Sequence, residues 1–223
     1  MILKRTANAG ILLALDGVSI LFDGVSREGT AYPATSVDMQ DALIQERPDA
    51  ICFSHIHPDH YDLEFARRYK NEIGGLIVGP VDDELDARIE SVKLGSVKIT
   101  PVETRHIGKV GMKVPHTSFI VEGTSCIWFL GDAAVLQWKS RCDLPKPDVL
   151  IVPFAYATTT TSWEIAKSLG AKHIVIVHMP EKDADPYNLW SAVKMTTEGE
   201  ETVELWMPDI GENKEIFFID NRK

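Results

Sequence analysis

Short apolar runs separated by turn residues are the main pattern along the chain, and they predict many strands. Residues 11–15 and 18–22 are two such runs, and the Asp16-Gly17 dipeptide between them favours the tight turn of a β-hairpin. Similar runs predict strands over 49–54, 76–78, 91–94, 97–102, 116–121, 125–130, 148–152, 174–177, 203–206 and 216–219.

Helical spacing of apolar residues occurs between several of these strands. It predicts helices over 36–45, 62–69, 82–88 and 162–169, and a closing helix near Trp190. Ser36 and Asp62 are the expected N-caps of the first two helices, because a short polar side chain accepts a hydrogen bond from the first helical turn. The alternation of hairpins with helices indicates an α/β protein built in layers.

Four threonines at 158–161 precede the helix predicted over 162–169, which Gly170 ends. Helix capping and loop chemistry explain such a run most simply. The alternative is that the threonine hydroxyls line a pocket.

Length and composition fit one globular domain over residues 1–223. The chain is 44% apolar and 25% charged, which is ordinary for a protein with a sizeable core. The apolar run after Arg5 is interrupted at Asn8 and ends at Asp16, so it is too short and too polar for a signal peptide or a membrane span. Three cysteines make an odd count and imply no disulfide framework. We therefore expect a cytoplasmic protein with no membrane partner.

The formal net charge of −10 bears on the choice of partner. Nucleic-acid binding depends largely on Lys and Arg that neutralise phosphates, so an acidic chain disfavours a nucleic-acid partner. We expect a small-molecule substrate instead. The sequence leaves the oligomeric state open.

The densest group of reactive side chains is the segment Ser-His-Ile-His-Pro-Asp-His-Tyr at 54–61. His55 and His57 alternate with an apolar residue, so an extended backbone points both imidazoles to one side. Pro58 then starts a turn that sends Asp59 and His60 in another direction, which suggests two metal ions rather than one. Imidazole and carboxylate suit zinc or another first-row divalent ion. The simpler alternative is an exposed polar turn whose histidines cap a helix.

The pattern His55-x-His57-x-Asp59-His60 after an apolar strand resembles the signature loop of the metallo-β-lactamase superfamily. The other parts of that family's pattern follow in order, each after a strand-like run: Asp23, His106, Gly131-Asp132 and His178. Within the superfamily, the short loops and residues 154–158 are most similar to small, uncharacterised bacterial and archaeal metal-dependent hydrolases. The resemblance implies a four-layer αββα sandwich.

The resemblance also implies a set of metal ligands. One ion would be bound by His55, His57 and His106, a second by Asp59, His60 and His178, with Asp132 bridging both. Asp23 would orient ligands without binding metal, or else only form a turn with Gly24. We favour His106 over His116 because a strand directly precedes it, which leaves His116 as a pocket residue or a packed histidine. His173, at the start of a strand, is expected to be structural.

The implied cofactors are two divalent metal ions, zinc first, with manganese or iron as alternatives. The implied function is hydrolysis of an ester-like bond in a small substrate, a lactone, thioester or phosphodiester, by a hydroxide held between the two metals. Asp59 and Asp132 would be the catalytic carboxylates. The alternatives are a nuclease of the same fold, an iron-dependent redox protein, and a non-catalytic metal-binding interaction module.

Overall fold

The computed structural model describes residues 1–27, 32–108, 113–141 and 143–217. Its strands are β1 (Ile2–Arg5), β2 (Ile11–Leu15), β3 (Val18–Phe22), β4 (Ala50–Cys52), β5 (Leu76–Val78), β6 (Val92–Leu94), β7 (Val97–Thr104), β8 (His116–Glu122), β9 (Cys126–Phe129), β10 (Val149–Pro153), β11 (His173–Val177), β12 (Glu204–Trp206) and β13 (Asn213–Glu215). Its α-helices are α1 (Val37–Glu46), α2 (Leu63–Glu72), α3 (Thr160–Ser168) and α4 (Leu189–Thr197).

The strands form two sheets. The first has the order β13-β1-β2-β3-β4-β5 and the second the order β12-β11-β10-β9-β8-β7-β6. Strands β3, β4 and β5 are parallel, and so are β9 to β12. Parallel neighbours end at the same edge of a sheet, so the loops that follow these strands come together.

The predicted hairpin of β2 and β3 is confirmed. Leu15 pairs with Val18 across the turn, and Asp16 and Gly17 both have positive φ, at 52° and 80°. Two positive φ angles define the primed turn that matches the twist of antiparallel strands. The hairpin delivers Asp23 directly after its second strand.

Three apolar clusters separate the layers. One lies between the sheets, where the ring of Phe22 stacks on that of Phe129 with centroids 4.8 Å apart. A second packs α1 and α2 on the outer face of the first sheet, through Leu43, Phe65 and Tyr69 among others. A third packs α3 and α4 on the outer face of the second sheet. The expected αββα sandwich is therefore the observed fold.

The expected helix caps are also present. The Ser36 hydroxyl accepts from the Met39 amide, and the Asp62 carboxylate accepts from the Phe65 amide. In the threonine run, Thr159 caps α3 by accepting from the Ser162 amide, so the capping interpretation is confirmed for it. Thr158 donates to the Ala155 carbonyl. The helix begins at Thr160, two residues before the predicted start.

Some predicted elements were wrong. The helix expected over 82–88 is only a 3-10 turn at Asp83–Leu85, because Asp86 adopts a left-handed conformation that stops it. Strand β1 was not predicted; among the described residues the last strand is β13, which pairs with β1, and residues 216 and 217 of the strand expected over 216–219 belong to no strand. Residues 218 and 219 lie outside the described part of the chain. Among the described residues, no helix is long and apolar enough to cross a membrane.

We expect Phe129→Ala to lower the free energy of unfolding by about 3–5 kcal/mol, because it removes a fully buried ring from the contact between the sheets. Denaturant unfolding of chelator-treated protein measures this. Phe217→Ala is the matched control, since Phe217 is 76% exposed and its loss should change little. Equal destabilisation by the two variants would contradict this account of the core.

Candidate metal centre

The segment after β4 brings its side chains to the edge where the two sheets meet. Its backbone is held from both sides, because the Phe53 amide donates to Val78 of the first sheet and the Ser54 carbonyl accepts from Thr117 of the second. His55 and His60 are buried, whereas His57 and Asp59 are half-buried. The segment is therefore fixed to both sheets just before its polar side chains begin.

His55, His57 and His106 form the first half-site, with one nitrogen from each within 4.8 Å of the others. His55 Nε2 lies 2.9 Å from His57 Nδ1 and 3.2 Å from His106 Nε2. His106 reaches this position from the loop after β7. The structure thus brings together the three histidines that the resemblance assigned to one ion.

Hydrogen bonds behind the first half-site set the tautomers of two of its histidines. The Ser54 hydroxyl donates to Asp23 at 2.6 Å, so it accepts from His55 Nδ1 at 2.9 Å. His106 Nδ1 donates to the Ile107 carbonyl at 2.6 Å. In the neutral form that metal ligation requires, each imidazole carries its one proton on Nδ1, and both Nε2 atoms then present lone pairs to each other. Such a pair fits a cation placed between them.

The surroundings of the first half-site disfavour protonation of two of its imidazoles. Burial and the nearby His60 lower the pKa of His55 far below its ordinary value, and burial and His106 lower the pKa of His57. Both imidazoles are therefore neutral near pH 7, as metal ligation requires.

Asp59, His60 and His178 form the second half-site, again within 4.8 Å of one another. His178 Nε2 lies 3.0 Å from Asp59 Oδ2, and His60 Nε2 lies 3.7 Å from the same oxygen. Nε2 of both His60 and His178 is buried without a hydrogen-bond partner among the described residues. Buried polar atoms are rarely left unpaired, so these atoms fit a bound ion.

Asp132 lies between the half-sites. Its Oδ2 is 3.5 Å from His60 Nε2 and 3.7 Å from Nε2 of both His106 and His178. The turn that places it requires glycine, since Gly131 has φ of 53° and a Cβ there would approach the Ser54 Cβ to 2.6 Å. This geometry agrees with the bridging position that the resemblance implied for Asp132.

Asp23 occupies the supporting position expected for it. It is fully buried, with Oδ1 accepting from the Ser54 amide at 2.7 Å and Oδ2 accepting from His60 Nδ1 at 2.8 Å. The proton of His60 is thereby held on Nδ1, which leaves Nε2 for the centre. Asp23 therefore lies behind Ser54 and His60, where a residue that orients ligands is expected.

His116 belongs to neither half-site. Its Nδ1 contacts the Thr104 hydroxyl at 2.7 Å, and burial lowers its pKa to about 3. The structure therefore brings His106 rather than His116 together with His55 and His57, and His116 lies behind them as a neutral buried histidine. His173 lies at the start of β11 with Nδ1 3.2 Å from Glu204, outside the centre.

Several further residues contact the centre, and of these sequence reasoning missed Asn8 and the ring of Phe154. Asn8 Nδ2 donates to Asp59 Oδ2 at 3.3 Å, and the rings of Tyr32 and Phe154 meet His178 edge-on with centroids 4.8 and 5.6 Å away. Asn8 had one detectable signal, because it is the polar residue that interrupts the apolar run before β2.

Two cavities among the described residues lie apart from the candidate ligands. One, about 810 Å³, is lined by Cys126, Lys146 and Phe217 among others, and the other, about 520 Å³, is lined in part by Thr104, Arg105 and His116. The lining of neither includes a candidate ligand. The smaller cavity approaches the centre through His116, whose ring packs against that of His55 with centroids 5.1 Å apart.

The fold and the site together define a class, the metal-dependent hydrolases of the metallo-β-lactamase fold. Residues 6–178 match the family model described as a beta-lactamase superfamily domain. The chain therefore belongs to the beta-lactamase superfamily. No curated protein matches its sequence.

Several solved structures share the fold at low sequence identity. Igni18, a metallo hydrolase from Ignicoccus hospitalis, has a TM-score of 0.70 at 17% identity, over 98% of this chain and 99% of that chain. An isothiocyanate hydrolase from Delia radicum gut bacteria has a TM-score of 0.69 at 15% identity, over 97% and 99%. CmlA, a diiron β-hydroxylase from Streptomyces venezuelae, has a TM-score of 0.64 at 14% identity, over 92% of this chain and 52% of that chain.

Charges in the second half-site oppose the effect of burial. Burial lowers the pKa of His60, but Asp132 and Asp23 outweigh it and raise that pKa well above its ordinary value. Burial raises the pKa of Asp132, but His178 and His60 outweigh it and hold that pKa well below the usual range. Without metal, His60 therefore keeps its second proton at neutral pH.

We expect metal uptake to displace this proton from His60, so the apparent affinity should rise with pH below the folded pKa of His60 and level off above it. The slope should be about tenfold per pH unit for each proton displaced. Calorimetric titration in two buffers of different ionisation enthalpy counts the protons. His60→Gln should release fewer, because glutamine does not titrate. An affinity that is constant between about pH 6 and pH 8 would contradict this prediction.

Proposed function

We propose that the protein is a metal-dependent hydrolase that holds two divalent ions and cleaves an ester-like bond in a small substrate. Zinc is the first choice of metal, with manganese or iron as alternatives, since imidazole and carboxylate donors accept all three. A lactone, a thioester and a phosphodiester are the candidate bonds. The expected partner is therefore a small molecule rather than a nucleic acid.

The observation that carries this proposal is the arrangement of two half-sites around Asp132. Each half-site supplies three donor atoms from the protein, and Asp132 approaches both. A structural zinc site is closed by four protein ligands, whereas a catalytic site keeps a position for water or substrate. Each ion would have three ligands of its own and would share Asp132 with the other ion, so a fifth coordination position, which catalytic zinc can adopt, is left for water or substrate.

Divalent ions would supply Lewis acidity here, together with a water acidic enough to act as a nucleophile near neutral pH. The protein contributes position and charge. Asp59 Oδ2 accepts from Asn8 Nδ2, and Asp59 stays ionised because, although burial raises its pKa, His178 and His60 together outweigh burial and lower it. An ionised Asp59 at the half-buried edge of the centre can orient an attacking water. Tyr32 and Phe154 cover His178 and limit the approach of bulk water on that side.

A substrate panel tests the reaction class. It consists of a lactone, a thioester, a phosphodiester, a phosphomonoester and a β-lactam, with an isothiocyanate added because one similar structure is named an isothiocyanate hydrolase. Each is assayed with zinc, manganese and iron separately. Turnover of a small ester-like substrate would support the proposal. Oxygen consumption with iron alone would favour the redox alternative, and salt-sensitive RNA cleavage would favour the nuclease.

We expect Asp132→Ala to abolish turnover and to weaken metal binding by more than the roughly 10- to 100-fold that loss of a supporting residue costs. It removes the carboxylate that approaches both half-sites while the two sheets remain. Elemental analysis measures bound metal, and circular dichroism checks the fold. A folded variant that retains two ions and full turnover would refute the bridging role.

His106→Ala and His116→Ala form a matched pair that tests the choice between these histidines. His106→Ala should lose metal from the first half-site, because it removes one of three converging nitrogens. His116→Ala should retain metal, since His116 lies outside both half-sites. Metal loss from His116→Ala together with full retention by His106→Ala would reverse the assignment.

A further inference from the structure

Arg5, at the end of β1, places a buried positive charge behind the centre. It is 3% exposed, and burial lowers its pKa only to about 10, so it remains protonated near pH 7. Its guanidinium donates to four backbone carbonyls, those of Ala7 at 3.1 Å, Asn8 at 2.9 Å, Met179 at 2.8 Å and Pro208 at 2.8 Å. A guanidinium bonded in this way holds main chain in place.

Arg5 holds the main chain next to His178 at two points, one on the Asn8 carbonyl that binds the His178 amide and one on the following residue, Met179. The Asn8 carbonyl accepts from Arg5 Nη2 and also from the His178 amide at 2.9 Å, while Arg5 Nη2 binds the carbonyl of Met179. His178 has φ of 62°, a left-handed conformation that is uncommon outside glycine. The surrounding hydrogen bonds therefore hold the backbone of His178 in a conformation that it would not favour alone.

The Asn8 side chain reaches a second member of the same half-site. Its Nδ2 donates to Asp59 Oδ2 at 3.3 Å, and this oxygen lies 3.0 Å from His178 Nε2. An ionised carboxylate only accepts, so it is the amide NH₂ of Asn8 that faces Asp59. Asn8 thus touches Asp59 through its side chain and His178 through its carbonyl.

Three of the remaining candidate ligands have other supports. Ser54 orients His55, the Ile107 carbonyl orients His106, and Asp23 orients His60. Among the described residues, Asn8 is hydrogen-bonded to the candidate ligands Asp59 and His178 only, and Arg5 acts on them through Asn8 and Met179. Their influence should therefore fall on one half-site.

We propose that Arg5 and Asn8 are positioning residues that preform the Asp59 and His178 side of the second half-site and so set its metal affinity independently of the first. This rests on the proposed function, in which the two half-sites hold two ions. The specific prediction is that changing Asn8 or Arg5 weakens metal binding at the second half-site and leaves metal binding at the first half-site unchanged.

Stepwise titration of metal-free protein with Co²⁺ tests the proposal, because its absorption spectrum reports the ligands at each site as well as the stoichiometry. The variants are Asn8→Ala, which keeps the backbone carbonyl, and Arg5→Lys, which keeps the charge but cannot donate to all four carbonyls. His178→Ala identifies which binding step belongs to the second half-site.

Gln137→Ala is the matched control on the other half-site. The Gln137 amide accepts from the Arg105 amide at 2.9 Å and donates to the Arg105 carbonyl at 3.2 Å, so it supports the residue next to His106. The control removes a side chain of the same chemistry from a comparable supporting position.

We expect Asn8→Ala to weaken the step that His178→Ala removes by about 10- to 100-fold, with the other step unchanged. Arg5→Lys should weaken the same step, and Gln137→Ala should leave it at its wild-type value. Thermal unfolding of the metal-free proteins checks that the variants are folded.

Two results would overturn the inference alone. One is wild-type binding of two ions with both steps unaltered in Asn8→Ala, and the other is equal weakening of both steps in folded Asn8→Ala, which a general structural role would produce. Uptake of fewer than two ions by the wild type would overturn the proposed function as well, and the wild-type titration distinguishes that case.

Discussion

In the neutral form that metal ligation requires, the imidazoles of His55 and His106 face each other with unprotonated nitrogens, and their Nε2 atoms are 3.2 Å apart. The Ser54 hydroxyl and the Ile107 carbonyl contact the Nδ1 atoms on the far side of the two rings, and burial disfavours a second proton on His55. Two lone pairs that face each other repel unless a cation lies between them, and this donor set fits a divalent ion. Asp59, Asp132 and the remaining histidines lie beside this pair and complete the candidate centre.

The fold supplies this constraint through contacts that are distant in sequence. The candidate metal ligands lie in loops that follow strands of both sheets. Single hydrogen bonds hold these loops together, from the Thr117 amide to the Ser54 carbonyl, from the Ile107 amide to the Asp132 carbonyl, and from the His178 amide to the Asn8 carbonyl. Each works only while the two sheets stay packed, which the stacked rings of Phe22 and Phe129 help to ensure. The geometry of the centre therefore depends on the core between the sheets.

The sequence predicted those features of the structure that depend on residues close together in the chain. The Asp16-Gly17 turn, the caps at Ser36 and Asp62 and the segment around His55 each lie within a few residues, so local rules apply to them. Arg5 and Asn8 had no such pattern, because Arg5 acts through carbonyls up to 203 positions away. Sequence spacing alone also did not decide whether His106 or His116 is the candidate metal ligand. The antiparallel pairing of Thr104 with His116 brings both histidines to the same edge, so only side-chain direction distinguishes them.

The position of Asp23 connects the supports of both half-sites. Its Oδ2 accepts from the Ser54 hydroxyl, which in turn accepts from His55 Nδ1, and from His60 Nδ1, so one oxygen lies behind a candidate ligand of each half-site. A change at Asp23 alone would therefore disturb both halves of the centre at once, although Asp23 belongs to neither.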